Sequence, residues 1–339
     1  MSGERTYSYK VAGLTFTVVA PECYDVEGLL PSFAGFRSCS GDSDSSTGSV
    51  TGDDGSTSET LFRFTLQAEA IEVPEEAKLA EVDDNDMGHT RLSRSANGSY
   101  CLELWYDHPE ERQNSGSESG NDTLANRATA NGGAVPRPGI FIANADFTNI
   151  TASVAPDSPD CGLVLTSMLR IAFAQAILRR DGISIHASAV AADGKAWLFL
   201  GKSGTGKSTH ARLWLRNIPG SRLLNDDNPA VRLVDGKAVA FGTPWSGKTQ
   251  CYRNESSPIG GIVRLVQGDA DIFTKKDEVA ALVALLPSCS VVHSDAALQS
   301  LLCDTLARLI ELVPVGELKC LPDNESAIIC YNNLKSLIK

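Results

Sequence analysis

Apolar and polar residues alternate along the first half of the chain. Tyr7, Tyr9 and Val11 are separated by polar residues, and Leu14, Phe16 and Val18 by threonines. A period of two is typical of strands that bury one face. The same pattern predicts strands near residues 61–71, 100–106, 140–142 and 150. We therefore predict a β-rich N-terminal domain over residues 1–155.

Two dipeptides predict tight hairpin turns. Asn97-Gly98 stands between Leu92 and the strand predicted at residues 100–106, and Asp193-Gly194 stands between two apolar runs of the second half. Both central residues of a two-residue hairpin turn take a positive φ, which asparagine, aspartate and glycine tolerate best.

Two segments of the first half contain few apolar residues. Residues 40–60 are rich in Ser, Gly, Thr and Asp, and residues 112–139 are rich in Ser, Gly, Asn and Ala. Such segments bury too little apolar surface to offset the entropy lost on ordering. We predict that both are mobile insertions.

The pattern changes after about residue 155. Apolar residues from Leu163 to Ile177 lie on one helical stripe, and Gly182 ends that helix. Strands are predicted at residues 183–190, 196–200, 230–234, 238–241 and 261–266, and helices at residues 207–217, 276–286, 295–312 and 325–338. This mixture of strands and helices predicts an α/β domain over residues 156–339, so the whole chain is α+β. A length of 339 residues also favours two domains.

Net charge and cysteine content indicate which binding partners and which cellular compartment to expect. The formal net charge is −12, so nucleic acids and anionic membranes are not expected to bind. No apolar run approaches the length of a membrane span, and the N-terminus lacks the apolar core of a secretory signal. The nine cysteines are irregularly spaced, with no C-x-x-C pair, which favours reduced thiols in a cytoplasmic protein.

One motif carries a specific chemistry. The segment 201–208, GKSGTGKS, matches the phosphate-binding loop pattern between a buried strand and a helix. Its glycines allow backbone N–H groups to converge on phosphates, Lys207 would reach the β- and γ-phosphates, and the Ser208 hydroxyl would bind Mg²⁺ or Mn²⁺. The nucleotide-binding residues predicted for ATP are Gly201, Ser203, Gly204, Thr205, Gly206, Lys207, Ser208 and Thr209.

A pair of acids follows the loop. The short apolar strand that starts at Arg222 ends in Asp226 and Asp227. One carboxylate could hold the metal while the other accepts the proton of an attacking hydroxyl. The alternative is an ordinary turn, because Asn-Asp-Asp-Asn-Pro is also good turn composition.

Two further candidates precede and follow these motifs. His186 lies on a predicted strand before the loop, where it is either a catalytic residue or a packed, hydrogen-bonded histidine. The segment 243–248, TPWSGK, follows a strand end, where functional loops gather. There Trp245 could flank an acceptor, and Lys248 and Arg253 could neutralise a transferred phosphate; the alternative is a surface turn.

In its combination of motifs the chain resembles the HPr kinase/phosphorylase and phosphoenolpyruvate carboxykinase superfamily. The resemblance rests on the His186 segment, the loop and the Asp226-Asp227 pair in that order, with the TPWSGK segment and Cys320-Leu321-Pro322-Asp323 closest to HPr-kinase-like proteins. It implies a P-loop domain with a mixed sheet and flanking helices. It also implies that His186 lies at the active site and that Asp226 and Asp227 act as metal ligand and base.

The resemblance implies an ATP- and metal-dependent kinase, and a homo-oligomer. The acceptor would be a hydroxyl of a protein, a peptide or a small alcohol. Two alternatives stay open: a nucleotide-sensing protein without transfer, and a carboxykinase-like lyase. The lyase is disfavoured because the interval 166–180 contains no lysine that could match the metal-ligating lysine of carboxykinases.

Overall fold

The computed structural model describes residues 3–38, 60–85, 88–106, 138–247 and 249–338. Two mixed sheets with flanking helices make this part of the chain a mixed α/β fold. Apart from residues 60, 138 and 139, the insertions predicted at 40–60 and 112–139 lie outside the described residues.

The contacts divide the chain into two compact units. The first takes the described residues of 1–6, 18–30 and 63–169, and the second takes those of 7–17, 31–62 and 170–339. The domain boundary near residue 155 stays a prediction, because a compact unit is not by itself an independently folding domain.

The N-terminal strands are β1 (Glu4–Val11) and β2 (Leu14–Pro21), whose residues are divided between the units, followed by the short helix α1 (Val26–Leu29). The first unit holds β3 to β8, in the sheet order β3-β8-β7-β6-β5-β4. Neighbours in this order are antiparallel except β3 and β8, which are parallel. These strands are β3 (Arg63–Gln67), β4 (Lys78–Asn85), β5 (Gly88–Arg94), β6 (Tyr100–Trp105), β7 (Gly139–Ala143) and β8 (Asn149–Ser153).

The two predicted hairpins differ in their turns. At 193–194 both residues have positive φ, 53° and 70°, as the tight turn requires. At 97–98 the hairpin forms, but the prediction of a two-residue turn is wrong, because only Gly98 has a positive φ. The last paired residues are Arg94 and Tyr100, and the Asn97 side chain accepts the Ser99 N–H at 2.9 Å. This side-chain bond stabilises a wider loop than the dipeptide alone predicts.

The second unit holds the remaining strands and most of the helices. Its strands are β9 (Gly182–Ser184), β10 (Ala187–Ala192), β11 (Lys195–Leu200), β12 (Arg222–Asp227), β13 (Ala230–Val234), β14 (Lys237–Phe241), β15 (Ser256–Gln267), β16 (Ile272–Lys275) and β17 (Val315–Cys320). Its helices are α3 (Lys207–Asn217), α4 (Glu278–Leu285), α5 (Ala296–Leu312) and α6 (Asn324–Leu337). Helix α2 (Cys161–Ala176) continues as a 3₁₀ turn, Ile177–Arg180.

The strand predicted at residues 183–190 is broken at its middle. Strand β9 pairs with β13, whereas β10 pairs with β11 and β12. Between them, the His186 N–H donates to the Ser288 carbonyl at 2.7 Å. The chain therefore changes partners at His186, which leaves this residue at a strand end.

The order β12-β10-β11-β15 in the second sheet positions the candidate site. Strand β10 is antiparallel to both β11 and β12, so the carboxyl ends of β11 and β12 point the same way. Ala187 is paired with Leu200 on one side and with Asp227 on the other. The glycine-rich loop and the acid pair are therefore at one edge of the sheet.

A buried aromatic cluster joins the strand and the helix that flank the glycine-rich loop. Trp197 and Phe199 of β11 pack against Trp214 of α3, with ring centroids 5.5 and 5.1 Å from the Trp214 ring. Leu334 of α6 joins the same cluster. Burying these rings fixes α3 against the strand from which the loop emerges.

The helix that runs from Cys161 to Arg180 is long and apolar enough to cross a membrane by composition alone. In the structure, 72% of its most apolar window is buried inside the protein, as in a core helix.

Candidate active site

The loop at residues 201–206 joins β11 directly to α3. Gly204 and Gly206 have φ of +77° and +106°, a region in which a side chain is strained. Within the loop, the Thr205 N–H donates to the Lys202 carbonyl at 3.1 Å. The helix begins at Lys207, as predicted, so its unpaired N–H groups and its positive dipole end face the loop. A helix N-terminus after a glycine-rich turn has the geometry that anion binding requires.

Lys207 is held beneath this loop. Its side chain is 9% exposed, and Nζ donates to the carbonyls of Gly201 at 3.0 Å and Lys202 at 3.4 Å. Burial lowers the pKa of Lys207, while the charges of Asp227 and Asp226 oppose that shift. A phosphate in the loop would offer Nζ charged oxygens in place of the two carbonyls.

The acid pair lies in a strand and not in a turn. Asp226 and Asp227 are the last residues of β12 and pair across the sheet with Ser188 and Ala187. Adjacent residues on a strand point to opposite faces, so the two carboxylates have different surroundings. Asp226 is 4% exposed, whereas the Asp227 side chain is 23% exposed.

A serine that the sequence analysis missed holds the buried acid. The Ser188 hydroxyl donates to Oδ1 of Asp226 at 2.6 Å, and both side chains are buried. A buried carboxylate needs such donors, because leaving water costs it far more than a neutral group. Ser188 lies two residues beyond His186, but only the antiparallel register of β10 and β12 brings it to Asp226.

His186 lies beside the more accessible acid. Its Nε2 is 3.3 Å from Oδ1 of Asp227, and its side chain is 45% exposed. Burial lowers the pKa of His186; the charges of Lys207 and Arg170 lower it further, and that of Asp227 raises it. A neutral imidazole can donate its ring N–H to a neighbouring carboxylate and hold that carboxylate in one orientation.

Asn225 organises the chain around the acids. It is 0% exposed, and its Oδ1 accepts the N–H groups of Asp227 at 3.0 Å and Asn228 at 2.8 Å. Its Nδ2 donates to the Trp245 carbonyl at 3.0 Å. The amide therefore ties the end of β12 to the TPWSGK segment, which adds a bridge between Asp227 and Ser246.

The substrate residues predicted on that segment have different surroundings. The Trp245 indole is 4% exposed and packs edge-on against Phe33 with a centroid distance of 5.7 Å, so its ring offers little surface to an acceptor. The Arg253 guanidinium is half-exposed and 3.5 Å from Glu255. Lys248 lies outside the described residues. The roles predicted for all three stay predictions.

The remaining loop residues lie where an incoming phosphate would meet them. Ser203 and Gly204 are exposed, Ser208 is half-buried in the first turn of α3, and the Thr209 hydroxyl accepts Arg212 Nη2 at 3.2 Å. All of them remain predicted nucleotide ligands.

The donor chemistry fits Mg²⁺. The Ser208 hydroxyl and the Asp226 and Asp227 carboxylates are hard oxygen ligands, which Mg²⁺ prefers. Within the described ranges, no cluster of three His, Cys, Asp or Glu side chains could hold a metal alone. Mg²⁺ in such sites is commonly held by one or two carboxylates plus substrate phosphates, so this sparse donor set suits a metal that arrives with a nucleotide.

Comparisons with known proteins add a weak structural likeness. No family model matches the chain, and no curated protein matches it. A solved structure of the Hpr(Ser) kinase/phosphatase from Coxiella burnetii aligns with 44% of this chain and 95% of its own, at 12% identity and a TM-score of 0.27.

Proposed function

We propose that this chain is an ATP- and metal-dependent kinase that transfers the γ-phosphate to a hydroxyl acceptor. One observation carries the proposal. Because β10 pairs with both β11 and β12, His186 and Asp227 lie beside each other at the sheet edge that also holds the glycine-rich loop and Lys207. A phosphate-binding loop, a lysine and a carboxylate that can accept the proton of a hydroxyl are recurring parts of phosphoryl-transfer sites.

The loop and Lys207 would bind the triphosphate. Backbone N–H groups from Gly204 to Ser208 would meet the phosphate oxygens, and Nζ would reach the β- and γ-phosphates. Asp226 and Ser208 would hold Mg²⁺, which when bound supplies positive charge against the phosphate oxygens. The Ser188 hydroxyl keeps Asp226 oriented for that role.

Asp227 would act as the base. It is the more accessible acid, and the His186 imidazole at 3.3 Å orients it. The acceptor O–H would give its proton to Asp227 while its oxygen forms a bond to the γ-phosphorus. The bond from that phosphorus to the β–γ bridging oxygen breaks, and ADP carries away the electron pair. The proton balance closes when Asp227 returns the proton to water.

The identity of the acceptor stays open among a seryl side chain of a protein or peptide and a small alcohol. Arg253 and Lys248 are proposed to neutralise the transferred phosphate. We further propose a cytoplasmic location and self-association, with Mn²⁺ able to replace Mg²⁺.

The test combines binding with turnover. Wild-type protein should bind ATP with Mg²⁺ in a calorimeter, and Lys207→Ala should lose that binding. Asp227→Asn should keep ATP affinity within a few-fold but lose hydrolysis or transfer of the γ-phosphate by about 10²–10⁴-fold. ATP bound without any turnover that depends on Asp226 or Asp227 would favour the sensing protein instead. Oxaloacetate-dependent ATP consumption would favour the lyase.

A further inference from the structure

A cavity of about 370 Å³ opens on the far side of the loop from the acid pair. Gly204, Thr205 and Gly206 form one wall, so the cavity is continuous with the proposed phosphate site. Its volume lies within the range of about 300–1,000 Å³ that small-molecule sites take. A ligand anchored by its phosphates in the loop could therefore extend into it.

The remaining walls are mostly apolar. Leu213 of α3 and Leu265 of β15 face Leu321 and Pro322, which follow β17. Apolar walls with a few polar groups are typical of sites that bind flat organic groups. Gln267 is one such polar group, and its Nε2 lies 3.4 Å from the Gly204 carbonyl.

His210 is the second polar group, and its tautomer can be assigned. The Trp214 indole N–H lies 3.1 Å from His210 Nε2. An indole nitrogen can only donate, so Nε2 accepts, and a neutral imidazole then carries its proton on Nδ1.

The Nδ1–H of His210 is available to a ligand. His210 is 3% exposed, and no hydrogen bond reaches Nδ1 from any residue that the structure describes. In the same part of the chain, no side-chain nitrogen or oxygen is both fully buried and without a partner, so Nδ1 retains solvent contact. His210 is otherwise buried and lines the cavity, so the cavity is the space from which a ligand could reach this donor.

We propose that the cavity takes the nucleoside half of the nucleotide, and that the Nδ1–H of His210 donates to an acceptor atom of its base or ribose. The proposal rests on the proposed function, since the phosphates must occupy the loop. The aromatic base would lie against Leu265 and Leu321, and His210 would distinguish a nucleoside triphosphate from bare tripolyphosphate.

Two substitutions at His210 separate ligand binding from packing. Glutamine places an amide group near the position of Nε2 and can still accept from Trp214, but it removes the donor at Nδ1. Asparagine places an amide nitrogen near Nδ1 but removes the Nε2 acceptor of the Trp214 N–H. His210→Gln should weaken ATP binding by about three- to tenfold and leave tripolyphosphate binding unchanged. His210→Asn should lower the melting temperature yet retain the preference for ATP over tripolyphosphate.

A surface substitution keeps the proposal testable if both His210 variants fold poorly. Leu321 is 39% exposed at the cavity rim, so Leu321→Arg should obstruct the cavity without disturbing the core. It should weaken ATP binding and spare tripolyphosphate. The matched control is Leu312→Arg at the end of α5, where the leucine is 49% exposed and does not line the cavity.

Calorimetry with ATP and tripolyphosphate, each with Mg²⁺, gives separate outcomes. A loss confined to ATP in His210→Gln and Leu321→Arg supports the cavity as the nucleoside site. Equal affinity of wild-type protein for both ligands, or unchanged ATP binding in these variants, overturns it while the kinase proposal stands. Binding of neither ligand by wild-type protein overturns both.

Discussion

The His186 Nε2 lies 3.3 Å from the Asp227 Oδ1. His186 directly precedes β10 and Asp227 ends β12, so the two residues lie at the same edge of the sheet. This pair is partly exposed, whereas Asp226 beside it is buried against Ser188. The two neighbouring acids therefore have separate environments, which allows them separate roles.

The titration of His186 should report this pair directly. The charge of Asp227 raises the pKa of His186, and that of Lys207 lowers it. Asp227→Asn should therefore lower the His186 pKa, and Lys207→Ala should raise it, as measured by NMR titration of the imidazole protons. Asp304→Asn, on the exposed side of α5, is the control and should leave the pKa unchanged. Identical titrations in all four proteins would contradict the described proximity.

Removing the Ser188 hydroxyl should destabilise the second unit. In Ser188→Ala the buried Asp226 carboxylate loses the donor at 2.6 Å, at a cost of about 1–3 kcal/mol in the free energy of unfolding. Urea unfolding measures the cost. Ser336→Ala, which removes an exposed hydroxyl near the end of α6, should change stability by less than about 0.5 kcal/mol. A Ser188→Ala protein as stable as wild type would show that water replaces the serine.

Truncation of Asn225 should have a larger effect. Asn225→Ala removes the acceptor of two N–H groups, that of Asn228 buried and that of Asp227 partly buried, and one donor to the Trp245 carbonyl, so we expect a loss of about 3–5 kcal/mol. Asn254→Ala is the matched control, because that exposed amide makes one bond of 3.3 Å to Gly35. Comparable losses in the two variants would contradict an organising role for Asn225.

The buried histidine makes stability depend on pH. The pKa of His210 is lowered to about 4, so between that value and about 6.5 the unfolded chain binds a proton that the folded protein does not. This contribution is complete above about pH 6.5 and is lost as pH falls toward 4. When the pH falls from 7 to 5, the free energy of unfolding should fall by about 2 kcal/mol less in His210→Gln than in the wild-type protein. Parallel losses in urea unfolding at the two pH values would show that His210 titrates normally in the folded protein.

Short-range patterns predicted the loop well. The strand before it, the glycines and the helix Lys207–Asn217 are confirmed because they depend on neighbouring residues: an apolar run, positive-φ glycines and helical spacing. The strand ending in the acid pair is confirmed for the same reason.

Features set by long-range pairing were missed. Strands β4, β16 and β17 were not predicted; β4 pairs with its neighbour β5, whereas β17 forms by parallel pairing to the distant strand β15. The break at His186 arises because β9 and β10 find different partners. The contact between Ser188 and Asp226 depends on the register of two strands 38 positions apart in sequence, which no local pattern encodes.

Strand β10 lies between β11, which leads into the glycine-rich loop, and β12, which ends in the acid pair. It separates β11 from β12 by two interstrand distances, about 9–10 Å in all, and its backbone hydrogen bonds fix that gap. Inserting or deleting one residue within 187–192 would exchange the faces to which its side chains point, so Ser188 would turn away from Asp226. The number of residues in β10 therefore matters more to the site than any surface residue around it. Neither engineering nor evolution could change that number without disrupting the site.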